Sequence, residues 1–152
     1  MTKNVTLIAK AMKDYYGTDE EKIRRFVSVY TLAKSIGELE KLPEATQEYL
    51  EIEAIVYSAE SPNKDTTKAD FLKDMMKKLD IEYDIIERVC FVADNFYDFE
   101  HITGLDHQIL LEAHKLVEFK ENQYETEKVI KETDTYFITN YGKAFVKRAF
   151  NV

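Results

Sequence analysis

The chain carries one cysteine, two prolines, four glycines and no tryptophan in 152 residues. A lone cysteine, Cys90, excludes an internal disulfide and a CxxC zinc site, and it fits a reducing compartment. Scarce proline and glycine leave few helix breakers, since average usage of the two together is about 12%. No apolar run approaches the ~18 residues that span a bilayer, and the amino-terminal MTKNVTLIAK lacks a secretory apolar region. Basic residues are the minority, 21 against 29 acidic, for a net charge of −8. Nucleic-acid binding relies on basic surface to neutralise phosphates. The expected setting is therefore cytoplasmic, with neither a membrane nor nucleic acid as partner. GxGxxG, GK[ST] and GxSxG are also missing, so phosphate loops and nucleophile elbows have no local support.

What remains is a helix-rich composition, 45% hydrophobic and 33% charged, long enough to bury a core. Val5, Ile8, Ala9 and Met12 recur at helical spacing, which predicts a first helix over 3–16. Thr18-Asp19-Glu20-Glu21 reads as a capping box for a second helix over 19–40, whose inward face is Ile23, Phe26, Val27, Tyr30, Ala33 and Ile36. Gly37 within it implies close packing or early fraying. Pro43 suits the first turn of a third helix over 43–60. There the run Ile52–Tyr57 is apolar nearly all round and belongs in a central, buried helix. SPNKDT (61–66) is a loop. Further helices are expected over 67–79, 83–96, 105–119, 123–133 and 140–150, making an all-α, single-domain bundle of six to eight helices over residues 1–152.

The three histidines are the first candidates for chemistry. His107 and His114 are seven apart, which puts them on one helix face but about 10.5 Å apart along the axis, too far to share one metal. His101 lies in the preceding turn. Asp98, Glu100, Asp106 and Glu118 are the nearby carboxylates that could complete a site if the fold converges them. Cys90 shares an apolar stripe with Ile86 and Val89, the setting of a core residue and not of a reactive thiol. The aromatic stretch Asn95–Phe99 offers rings for stacking, although helical spacing favours core and rim roles.

Five segments carry a resemblance: DYYGTDEEKIRRFVSVYTLAKSIGELE (14–40), EYLEIEAIVYSAE (48–60), IERVCFVADNF (86–96), ITGLDHQILLEAHKLVEF (102–119) and TYFITNYGKAF (135–145). In this order they resemble a small single-domain member of the HD superfamily of metal-dependent phosphohydrolases. That family holds divalent metal with a histidine, a His-Asp doublet and a distant aspartate on facing helices. The resemblance places the histidine at Arg25, the doublet at Tyr57 and Ser58, and the last aspartate at His114. A glycine expected after the doublet falls on Glu60. Every ligand position is thus replaced, and neither arginine nor a tyrosine–serine pair suits a hydrolytic divalent metal. The implied protein is a catalytically silent HD-type domain without metal or other cofactor. Arg25, Tyr57, Ser58 and His114 would line the former cleft and bind a small anionic ligand or face a protein partner; a homo-oligomer is compatible with both. In the blander version, Arg25 pairs with a carboxylate such as Glu53 or Glu60 and fills the old site. The contrasting expectation is a phosphohydrolase of phosphomonoesters or nucleotides using a relocated ligand set from His101, His107, His114, Asp94 and Asp98.

Overall fold

The computed structural model describes residues 2–152, and among these every regular element is a helix. In chain order these are α1 (Lys3–Tyr16), α2 (Glu20–Leu39), α3 (Glu44–Val56), α4 (Lys68–Lys78), α5 (Tyr83–Asn95), α6 (Gly104–Glu121), α7 (Thr126–Tyr136) and α8 (Asn140–Phe150). The all-α expectation holds. No helix among the described residues is long and apolar enough to cross a membrane.

The helix ends follow local chemistry. Thr2, Thr67 and Thr139 each accept a backbone N–H in the first turn of α1, α4 and α8, satisfying donors that the helix itself leaves free. The capping residue of α2 is Asp19, which accepts from the Lys22 amide at 3.2 Å, one position later than the Thr18 box expected from sequence. Gln123 adopts φ +50° just after α6. That left-handed residue stops α6 and delays α7 to Thr126, three residues past the expected start.

The core forms where α3 and α6 meet α1, α2 and α5. Leu50–Tyr57 of α3 and its end are buried without a gap, as the apolar run implied. On α2 the buried face is Phe26, Val29, Ala33, Ile36 and Gly37, while Val27 is 48% exposed and belongs to the outer surface. Gly37 settles as a close-packing glycine. A Cβ there would lie 2.8 Å from Leu50 Cδ2 and nearer still to Gln47 Oε1, so the bare backbone of α2 packs directly on side chains of α3.

The largest departure from sequence concerns α6. It is buried from Asp106 to Val117, including Asp106, His107, Gln108, Glu112, His114 and Lys115. A buried polar group needs a partner, and Glu112 and Lys115 find theirs largely on other elements, whereas His107 Nε2 has none. Glu112 accepts from Gln108 Nε2 (2.7 Å), the Ile138 and Thr139 amides (3.0 and 3.1 Å) and Thr139 Oγ1 (2.6 Å). Thr139 simultaneously caps α8 through the Gly142 amide at 3.0 Å. Lys115 donates to Glu132 Oε1 at 3.0 Å and sits 4.4 Å from the Tyr136 ring centre, which ties α7 to α6.

Candidate functional site

Arg25 leaves the first third of α2, Tyr57 caps the end of α3, and His114 stands two-thirds along α6. These elements pack side by side, and the three side chains meet. The Tyr57 hydroxyl lies 2.8 Å from His114 Nδ1, and Arg25 Nη2 lies 3.4 Å from the same nitrogen. Arginine can only donate, so Nδ1 is an acceptor and the ring proton resides on Nε2. Nε2 faces Glu118 Oε2 at 3.4 Å, one turn further along α6. Ser58, the fourth position, lies near the Tyr16 phenol and makes no hydrogen bond to His114. Three of the four positions thus meet at one imidazole nitrogen, and the fourth is the chain neighbour of Tyr57.

Arg25 is ion-paired with Glu121 at the end of α6. The expected partners Glu53 and Glu60 do not serve: Glu53 is fully buried toward α5 and α6, and the Arg25 ion pair goes to Glu121 and not to Glu60. The reason is geometric. Arg25 lies over the C-terminal end of α6, where Glu121 is within reach, while Glu53 is one helical turn deeper on α3 than Tyr57.

The electrostatics follow from burial. Tyr57 is 1% exposed and His114 5%. Burial, followed by the positive Arg25, lowers the His114 pKa to about 4, so the ring is neutral at physiological pH. Burial pushes the Tyr57 hydroxyl well above its ordinary range, so it stays protonated and donates. Burial would raise Glu118, but the Tyr124 hydroxyl at 2.9 Å, Lys115 and His114 hold it below the usual carboxylate range. Phe96 closes the other side, its ring centre 5.0 Å from His114 and 4.5 Å from Tyr57. Tyr97 stands 6.0 Å from His114 and is 60% exposed. Within the aromatic stretch, Phe96 is therefore core and Tyr97 rim.

These residues do not fit a hydrolytic divalent metal. The imidazole nitrogen turned toward Arg25 and Tyr57 already accepts from Tyr57, and a guanidinium stands beside it where a cation would have to sit. The relocated set does not assemble either. His101 is exposed and bonds Asp98 at 2.8 Å. His107 Nδ1 accepts from the Thr103 amide at 3.1 Å. The Phe96 ring, 6.3 Å from His107 and 5.0 Å from His114, lies against both histidines. Among the described residues no three His, Cys, Asp or Glu side chains gather in a metal-binding arrangement. Cys90 is half-buried against α4, its Sγ 3.8 Å from the Ala69 carbonyl, with burial raising the thiol to about 11.

A groove of about 810 Å³ runs between α2 and α6 on the open side of Arg25. Its cations Arg24, Arg25 and Lys120 are interleaved with Glu21 and Glu121. Sequence reasoning named Glu118 only as a candidate metal ligand and missed Glu121 as the partner of Arg25. The i, i+4 spacing of His114 and Glu118 was the available signal. No family model matches this chain, and neither a curated protein nor a solved structure matches it.

Proposed function

We propose that this chain is a catalytically silent HD-type domain that acts as an interaction module, its former metal cleft closed by its own side chains. One observation carries the reading. Arg25, Tyr57 and His114, separated by 32 and 57 residues in sequence, meet around one imidazole nitrogen. The HD resemblance implies that juxtaposition, and composition alone does not. The same geometry favours a protein partner over a small anion. Arg25 is already matched by Glu121, and His114 is neutral, so neither residue offers phosphate an uncompensated positive charge. Without a metal site there is no Lewis acid and no water of lowered pKa to attack phosphorus.

The test pairs thermal melting with a phosphatase screen. Mn²⁺, Ni²⁺, inorganic phosphate and nucleoside monophosphates are each added to the purified protein. The reading expects no shift in melting temperature and no turnover of phosphomonoesters. A ligand at ~100 times its Kd would stabilise by roughly 2.7 kcal/mol and be plainly visible. Metal-dependent hydrolysis that a chelator abolishes would sink the proposal, and a phosphate-induced shift lost in Arg25→Gln would restore the anion reading.

A further inference from the structure

Glu53 lies in the middle of α3 with no exposed surface, and neither carboxylate oxygen receives a hydrogen bond from an N–H or hydroxyl donor. Its nearest cation is Arg88 of α5, whose Nε is 4.0 Å away. Arg88 is committed elsewhere. Its Nε and Nη2 grip Asp106 of α6 at 2.9 and 2.7 Å, Nη1 donates to Thr103 Oγ1 at 3.2 Å, and Nη2 also reaches the Thr103 carbonyl. The guanidinium fork is thus spent on Asp106 and the start of α6. An ionised Glu53 would be a buried charge without a donor, next to a second carboxylate, which is among the costliest arrangements a protein can hold.

We propose that Glu53 is a proton-held lock: in the folded protein it is a neutral carboxylic acid that donates to Asp106, and loss of that proton loosens the junction of α3 with α5 and α6. The groups that face it are Arg88 from α5 and Asp106 from α6. Tyr49, one turn earlier on α3, acts on Arg88 and donates to Asp84 of α5 at 3.1 Å. His107 follows Asp106 on α6 and is kept neutral by burial and by Arg88. From the other two helices packed on α3, the buried side chains are Val5, Ile8 and Met12 of α1 and Phe26, Val29, Ala33 and Ile36 of α2. They supply low dielectric and no compensating charge. Burial and then Asp106 both raise Glu53 well above the usual carboxylate range, in keeping with this geometry, while Arg88 opposes them.

The sign follows from linkage. The folded protein keeps a proton that the unfolded chain releases near pH 4.3, so stability is full below that pH and falls as pH rises toward the folded midpoint. The experiment compares urea unfolding of the wild type and Glu53→Gln, an uncharged isostere, at pH steps from 5 to 9. The wild-type unfolding equilibrium constant should rise up to tenfold per pH unit relative to Glu53→Gln, then level off. Parallel pH curves for the two proteins would overturn the proposal. Should Glu53→Gln fail to fold, infrared spectra of the wild type decide alone. A protonated-carboxyl carbonyl band at neutral pH that vanishes on unfolding supports the lock, and its absence refutes it.

Discussion

Acidification should break the cluster around His114, and the size of the effect can be worked from the structure. Unfolded, the imidazole takes a proton near pH 6.5; folded, burial and Arg25 delay this to about pH 4. The folded state therefore binds fewer protons in that window, and stability is lost as pH falls from 6.5 toward 4. At ~1.36 kcal/mol per pH unit, a midpoint moved that far corresponds to about 3 kcal/mol. That is a large share of the ~5–15 kcal/mol that holds a typical domain together. Glu118, held below its ordinary range, adds loss of the same sign at the acid end. The assay is urea unfolding of the wild type and His114→Gln between pH 7.5 and 4.5. The wild type should lose stability against the variant by about 2 kcal/mol by pH 5. In parallel, the His114 Hε1 resonance should not titrate above pH 5. A normal titration near 6.5 would mean that Tyr57 and Arg25 do not occupy Nδ1, and the closed-site description would fall with it.

Three further outcomes follow from particular contacts. Gly142→Ala should destabilise by about 2 kcal/mol or more, because its Cβ would run into Glu112 Oε1 and lie 2.7 Å from Thr139 Oγ1; calorimetric melting checks this, and a neutral result would mean that α8 sits further from α6. Tyr57→Phe should cost about 1–2 kcal/mol, since it removes the hydroxyl donor to His114 and nothing else, and the loss should vanish in a His114→Gln background if the two groups are partners. Native Cys90 should react slowly with a disulfide reagent at pH 7.5 and promptly in urea, because its thiol ionises only near pH 11; prompt native labelling would contradict its packing against α4.

The order of the helices and most of their bounds were legible because most of them rest on local signals, although α3 stops at Val56, four residues before its expected end. Val5, Ile8 and Met12 mark one face by spacing alone, and α1 begins and ends at the residues that spacing implies. The boundaries that moved depend on a backbone choice invisible in composition, as at Gln123, where a non-glycine residue takes a left-handed φ. Val27 and Val29 could not be told apart by hydropathy, and the packing of α2 on α3 and α6 decides between them. The polar interior of α6 was the least legible part. Glu112 reads as a surface glutamate until Thr139, 27 residues away, is seen to close on it. For the candidate site, the meeting of Arg25, Tyr57 and His114 was implied by resemblance and matches the geometry, while the partner of Arg25 depended on where α6 ends. Ser58 shows the limit of reading position as contact: it follows Tyr57 in the chain, yet it makes no hydrogen bond to the imidazole that Tyr57 meets.

Under the proposed reading, Arg25, Tyr57, Ser58 and His114 would stand in the places of four metal ligands. Rebuilding the set tests it most directly, with Arg25→His, Tyr57→His, Ser58→Asp and His114→Asp combined in one protein and titrated calorimetrically with Mn²⁺. The folded quadruple variant should bind about one metal ion per chain, and the parent should bind none at the same concentrations. A quadruple variant that keeps its helical circular dichroism and cooperative melting, yet takes up no Mn²⁺ or Zn²⁺, would contradict the account.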